Sequence, residues 1–353
     1  FSAQVELIRG AYGIEPGEVD LPTFPLFALF DPALGMTTVI PDMDPTRPAQ
    51  VDPRKLTTAI EEFGVTNMFG SPALLNTLGR YGEGRKIHLS SLKRVISAGA
   101  PVPAEVMERV LAMLPEDARV VTPYGATECL PVSSISSHEV LGETRSMTGR
   151  GAGVCVGRPV APNEVTVIEI SDEVIETWDD VEPVADGTIG EIVVRGPTTT
   201  QRYYNRDEVT RLAKITHPGE ERVSHRMGDV GYLDDEGRLW FCGRKAHRVV
   251  TPTETLFTVP CEMIFNTHLR VFRTALVGVE VAGRITPVLC VETEEGGAAD
   301  WKTLEAELRD LALEHVHTRA VQRFLRHPGF PVDIRHNAKI GREELQVWAR
   351  ARV

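Results

Sequence analysis

"LSSLKRVISAGAPVPAEVMERVLAMLP", residues 89–115, is the stretch that decides the fold. Its "RVISAG" reads as a short buried strand. A Gly/Pro turn follows, and apolar residues then recur at helical spacing in a helix opened by Pro103. Residues 52–78, "DPRKLTTAIEEFGVTNMFGSPALLNTL", carry the same order: helix, buried strand, helix. "ARVVTPYGATE" at 118–128 is a further strand ending in a turn. Strands alternating with helices predict parallel βαβ units, and ligands of such sheets gather at the carboxyl ends of the strands.

Further along, the pattern changes. From about residue 154 short strands follow one another with few helices: "EVTVIEI", "GEIVVRG", "GRLWFCGR" and "HRVVT". They predict an antiparallel or β-barrel-like subdomain. After residue 245 a small α+β unit is expected, with a helix "PCEMIFNTHL", strands "VFRTALVGVEV" and "ITPVLCVET", and a long helix over 299–320. Near the end stands "RHNAKIGREEL", residues 335–345, where Ile340 and Leu345 are spaced like anchors of a short helix and Lys339 sits in a polar turn before it.

The 353 residues fit two or three domains, and 42% apolar with 25% charged residues is ordinary globular composition. A net charge of −12 argues against binding nucleic acid or anionic membrane over a broad face, while leaving room for a local basic pocket. The five cysteines, 129, 155, 242, 261 and 290, form no CxxC pair and read as reduced thiols of a cytoplasmic protein. No apolar run reaches the roughly 18 residues of a spanning helix, so no transmembrane segment is expected. The chain opens at Phe1 in what reads as an amphipathic helix already under way, so residues upstream are expected.

Several residues carry chemistry. In "VTPYGATECL" (121–130) a turn after a strand gathers amides, a hydroxyl and a carboxylate; Thr127 is suited to a phosphate and Glu128 to Mg²⁺, although a capped Gly turn reads equally well. The small residues of "SAGAPVP" (97–103) permit close approach of a flat ring or a phosphate, and alone they read as an ordinary turn. In "SHRMGDVGYLDDEGRLWFCGRKAHR" (224–248) a hairpin turned by "DDEG" brings Arg244 back towards Asp229. Asp229 is then a carboxylate fit to accept ribose hydroxyls, or half of a surface ion pair. Cys129 either lines an acyl pocket or is a small buried hydrophobe. His315 and His317 face apart on a helix and are not expected to bind metal.

The order "SAGAPVP", "YGATE", "GEIVVRG", "RMGDVGYLDDEGRLWFCGR" and "NAKIGREEL" resembles the adenylate-forming superfamily. This superfamily comprises acyl-CoA synthetases, luciferases and the adenylation domains of peptide synthetases. The resemblance covers essentially the whole chain. It implies a large AMP-binding domain to residue 244, lacking its upstream part and Ser/Thr/Gly-rich phosphate loop, and a small mobile lid over 245–353 hinged at Lys245. By the same resemblance Tyr124, Gly125 and the backbone of Gly99-Ala100-Pro101 frame the adenine. Asp229 binds the ribose, Arg244 contacts ribose or phosphate, and Thr127 and Glu128 serve phosphate and Mg²⁺.

Lys339 corresponds to the lysine that bridges the carboxylate and the α-phosphate, with Ala338 where the family has Gly. The physical need is plain, because a carboxylate driven onto an anionic phosphate builds negative charge that a mobile ammonium offsets.

"FPLFALFDPALG" lies where many relatives carry Pro-x-x-His or an aromatic gate, and Ala28 takes the gate position. Phe24, Phe27, Ala28 and Cys129 are the expected acyl pocket, suited to a long aliphatic acid. Together with "YGATECLPVS" and "RHNAKIGREEL", this stretch is most similar to the β-lactone synthetases of bacterial long-chain olefin biosynthesis. That implies ATP- and Mg²⁺-dependent activation of a 2-alkyl-3-hydroxy fatty acid as acyl-AMP. The substrate's own hydroxyl then displaces AMP, and other enzymes of a hydrocarbon pathway are the expected partners. One alternative is a long-chain acyl-CoA synthetase using CoA. Another is an inactive acyl- or nucleotide-binding relative, against which stands the presence of Glu128, Asp229, Arg244 and Lys339 together.

Overall fold

The structure, a computed structural model, describes residues 1–294, 300–332 and 340–353. A seven-stranded sheet runs in the order Thr37–Thr38, Val19–Pro22, Asn67–Phe69, Arg94–Ile96, Arg119–Ala126, Cys129–Ser136 and Arg158–Pro159. The first five strands are parallel and the last two antiparallel, so the expected βαβ arrangement is present. Helices Pro53–Phe63 and Pro72–Gly82 start where local chemistry directs. Asp52 accepts from the Arg54 amide, Ser71 accepts from the Leu74 amide, and each helix has Pro at its opening. With helix Ala104–Leu111 they bury Leu56, Ile60, Leu74, Leu75 and Val106 against Leu21, Met68, Val95 and Val120 on one face of the sheet. Each such side chain contributes roughly 1.5–3 kcal/mol on removal from water. The other face carries Phe69, Ile96 and Val121 beneath Tyr12, Phe24 and Phe27.

A second sheet is antiparallel throughout. Its order is Val154–Cys155, Leu239–Arg244, Ser224–Leu233, Gly190–Arg195 and Glu164–Ile168, with Lys214–Ile215 paired to Ser224–Leu233. Cys129 and Val132 of the first sheet pack with Ile192, Val194, Met227 and Leu239 of the second, which joins the two sheets through one core.

Beyond residue 248 the chain builds its own sheet from Val271–Val281, Arg284–Thr293 and Arg323–Arg326, with helices Thr258–Phe265, Trp301–Glu314 and Arg342–Arg350. Two cores are drawn wholly from this part. The helix expected over 299–320 stops at Glu314. His315 turns extended, and Thr318 Oγ1 donates to the Ala312 and His315 carbonyls, satisfying groups that a longer helix would have paired. Leu345 is fully buried in helix Arg342–Arg350, as its spacing predicts, whereas Ile340 precedes that helix and is only partly buried. Among the described residues no helix is long and apolar enough to cross a membrane.

Candidate active site

The two sheets meet at a hydrogen-bonded cluster. Asp229 and Arg244 are direct partners in the pairing of strands Ser224–Leu233 and Leu239–Arg244. Arg244 donates to Asp229 Oδ1 at 2.8 Å, and Tyr124 Oη donates to Asp229 Oδ2 at 2.6 Å from the first sheet. Burial pushes the Asp229 carboxyl up, and the Arg244 cation and the Tyr124 hydroxyl pull against that rise. Burial together with the Asp229 charge drives the Tyr124 hydroxyl far above its usual value, so it stays a donor. The Arg244 side chain is 55% exposed, held at one end and open at the other. It is therefore an anchored cation able to meet an anion from solvent.

Thr127 and Glu128 form the two-residue turn between strands Arg119–Ala126 and Cys129–Ser136, where Ala126 pairs with Cys129. Gly125 is required there, because a Cβ would lie 2.6 Å from the Cys129 carbonyl oxygen. Thr127 is exposed. Gly99-Ala100-Pro101 follow the adjacent parallel strand, with Gly99 at φ +97°, a conformation that favours glycine. These two motifs therefore lie at the carboxyl ends of neighbouring strands, the usual ligand edge of such a sheet.

Glu128 has partners that no motif announced. Tyr203 Oη donates to its Oε1 at 2.7 Å, and the Thr200 amide donates to its backbone carbonyl at 2.8 Å. Burial raises the Glu128 carboxyl, but the Tyr203 hydrogen bond and nearby positive charge, including Lys214, bring the net shift below the ordinary value. Glu128 is thus a carboxylate. Its Oε2 has no hydrogen bond among the described residues. A hard oxygen from one carboxylate fits Mg²⁺, which commonly takes one or two carboxylates and completes its shell with water and substrate phosphates. No group of three or more His, Cys, Asp or Glu able to hold a metal by itself occurs among the described residues.

A cavity lies on the sheet face opposite the main helices. Phe27, Phe30, Phe69 and Ile96 line it, and Ala98 and Pro123 connect it to the nucleotide-side segments. Phe24 leans on Phe27 with ring centroids 5.9 Å apart, behind the lining rather than in it. Ala28 is partly exposed and not part of the lining. The structure places Cys129 elsewhere, fully buried in the core between the sheets. Alternation along its strand explains this, since Leu130 takes the cavity side and Cys129 the other. Nor is the cavity uniformly apolar, because Asp20, Asp31 and Asn67 line it too. Burial, then the neighbouring Asp31, pushes Asp20 up to about 8. Asn67 donates to Asp20, and Thr38 donates to Asp31 at 2.6 Å.

Lys339, with Asn337 and Ala338, lies outside the described residues. Just after it, Ile340 bridges to Val332, and Arg342 donates twice to the buried Glu262 at 2.5 and 2.8 Å. Lys245 Nζ donates to the Ser171 carbonyl at 2.6 Å and to Glu191, which Arg226 also grips. Tyr203, Thr200, Lys214 and Glu262 were not foreseen from sequence. They reach their partners by strand pairing and by contacts some 70 to 80 residues apart, which no local spacing encodes.

Residues 26–204 match the family model described as AMP-binding enzyme. The chain is 58% identical over 353 residues to an olefin β-lactone synthetase of Xanthomonas campestris pv. campestris and 54% identical over 354 residues to one of Stenotrophomonas maltophilia. Each match covers 99% of this chain and 63% of the relative, so the chain spans just under two thirds of their length. Among solved structures, the O-succinylbenzoate coenzyme A synthetase of Bacillus subtilis, in complex with ATP and magnesium ion, superimposes with a TM-score of 0.75 at 21% identity. That match covers 98% of this chain and 65% of that one.

Proposed function

The chain belongs to the AMP-binding enzyme family, and from that premise we propose that it carries the adenylation site of an enzyme that makes β-lactones from long-chain 2-alkyl-3-hydroxy fatty acids. In the first step a carboxylate oxygen attacks the α-phosphorus of ATP, the bond to the β-phosphate bridging oxygen breaks, and pyrophosphate leaves. In the second, the 3-hydroxyl oxygen attacks the activated carbonyl carbon and loses its proton. The bond from that carbon to the AMP oxygen breaks, and a four-membered ring closes.

What carries the reading is one convergence. Tyr124, Asp229 and Arg244, singled out by motif order, bond to one another where the two sheets meet, Glu128 stands in the turn of the strand pair that carries Tyr124, and Pro123 and Leu130 of that pair line the cavity. Asp229 is suited to the ribose hydroxyls, Arg244 to a phosphate, and the Gly99–Pro101 backbone to the adenine. Glu128 would hold Mg²⁺, which when bound offsets phosphate charge. Phe27 and Phe30 offer the alkyl chains an aromatic wall. The lactone product rests on the likeness to the two olefin β-lactone synthetases.

We place the domain boundary at 244/245 and assign residues 245–353 as a lid that delivers Lys339. The support is that the cores beyond 248 are self-contained. The Lys245 side chain is tied to Glu191 of the second sheet, so the lid would turn about a point fixed to the large domain. The five buried free thiols fit a reducing cytoplasm.

Incubating the whole protein with the hydroxy acid and ATP, with and without CoA, tests the reading. Mass spectrometry should find AMP, pyrophosphate and β-lactone in both reactions. A thioester formed only with CoA, and no lactone, would assign the second step to thioester formation instead.

A further inference from the structure

Among the described residues Lys214 is a buried cation with no anion in ion-pair range. Its strand, Lys214–Ile215, pairs with Ser224–Leu233 so that Lys214 sits opposite His225. The residue is only 5% exposed. A lysine buried for packing alone usually runs its stem along apolar surface and keeps its ammonium in water. Here Nζ donates to Thr200 Oγ1 at 3.1 Å and lies 5.7 Å from the centre of the Tyr203 ring. Among the described residues no carboxylate oxygen lies within the 4.0 Å of an ion pair. One donor is committed to a neutral hydroxyl. A buried ammonium so poorly matched costs stability unless something else meets it.

Glu128 shows what that something is. Thr200 and Tyr203 each touch both groups: Thr200 gives its amide to the Glu128 carbonyl and its hydroxyl to Lys214, while Tyr203 gives its hydroxyl to the Glu128 carboxylate and its ring face to Lys214. The carboxylate and the ammonium therefore flank one spot without joining. An ion pair between them would cancel both charges. Held apart, they present a site for a divalent cation beside a site for an anion, which is the charge pattern of a metal-bound polyphosphate. Burial lowers Lys214 to about 8, with Glu128 the first group opposing that fall. Of the other charged or titratable groups around it, burial holds His225 near 4 and hence neutral, and Tyr203 is a neutral donor.

We propose that Lys214 binds the β- or γ-phosphate of ATP next to the metal held by Glu128. This deepens the adenylation reading and rests on it. No motif drew attention to Lys214, which lies within "RLAKITH" and reaches the site only through the pairing of its strand.

Calorimetric titration of ATP and AMP, without acid, separates the outcomes in the whole protein and in Lys214→Met and Lys214→Gln. Glutamine keeps a donor for Thr200 and guards against a folding defect. Both substitutions should weaken ATP about tenfold or more, the effect of one lost charge-assisted hydrogen bond, and leave AMP within twofold. Parallel weakening of ATP and AMP would make Lys214 structural and overturn the proposal, as would unchanged ATP affinity in both variants. A wild type that binds neither nucleotide would overturn the proposal and the adenylation reading together. The expected weakening of ATP in both variants, together with a wild type that releases pyrophosphate from ATP equally with and without the hydroxy acid, would overturn only the adenylation reading.

Discussion

Asp229 and Asp20 are both buried aspartates, 5% and 3% exposed, and they sit in opposite electrical surroundings. Asp229 stands where the sheets meet, with Arg244 on one oxygen and Tyr124 on the other. Asp20 stands on the cavity wall with Asn67 and a second carboxyl, Asp31, and among the described residues no ion pair reaches it. Burial raises both, but only Asp229 has a cation pulling it back, whereas Asp31 drives Asp20 further up, to about 8. Two such buried carboxyls do not both ionise near neutrality. Burial is common to the two acids, and the difference between them is whether a cation opposes the rise, as Arg244 does at Asp229, or a second carboxyl adds to it, as Asp31 does at Asp20.

The comparison breaks first at its charged end. The proposed nucleotide site carries two carboxylates, and the incoming acid and phosphate add more negative charge. A mobile ammonium at about 4 Å and an effective dielectric near 20 is worth roughly 4 kcal/mol. Lys339→Ala should therefore lower acid-dependent pyrophosphate exchange by about a thousandfold, with the melting temperature unchanged. Exchange at the wild-type rate would separate Lys339 from the reaction.

Asp229→Ala comes next. Loss of two hydrogen bonds to a charged acceptor should weaken ATP by roughly 2–4 kcal/mol, measured by equilibrium titration. An unchanged dissociation constant would make Asp229 no more than a partner for Arg244. A smaller, asymmetric effect is expected from Lys245→Pro, which stiffens the proposed pivot and removes its grip on Glu191. Single-turnover kinetics should show a few-fold slowing of one half-reaction, and equal slowing of both would count against a pivot there.

Asp20→Asn should have the smallest effect and tests the uncharged end. The folded-state value of Asp20 lies above its unfolded value, so its stabilising contribution is present at low pH and is lost as pH rises towards about 8. The asparagine variant should accordingly gain melting temperature relative to wild type at pH 8 and not at pH 4, with ATP affinity unaltered. An ATP affinity that falls with Asp20 would erase the distinction between the two aspartates.

Much of this was legible in the sequence because the signals were local. The alternation of helix and buried strand marked helices Pro53–Phe63 and Pro72–Gly82, and the DDEG turn placed Arg244 against Asp229. Cys129 was ambiguous because the side of a strand that faces the cavity is fixed by the opposing sheet. Tyr203 and Lys214 were invisible because each meets Glu128's surroundings through a strand or loop some 75 to 86 residues away, and neither resembles a motif. The Asp20–Asp31 pair was hidden among apolar neighbours, since sequence alone does not tell a buried acid from an exposed one.

Isotope transfer tests the central claim most directly. A 2-alkyl-3-hydroxy acid labelled with ¹⁸O in both carboxyl oxygens is given to the whole protein with ATP, and the AMP is weighed. Attack by the carboxylate on the α-phosphorus, followed by cleavage of the bond between the acyl carbon and that oxygen, leaves one ¹⁸O in AMP and one in the lactone carbonyl. AMP without label, or ADP and phosphate in its place, would contradict an acyl-adenylate at this site.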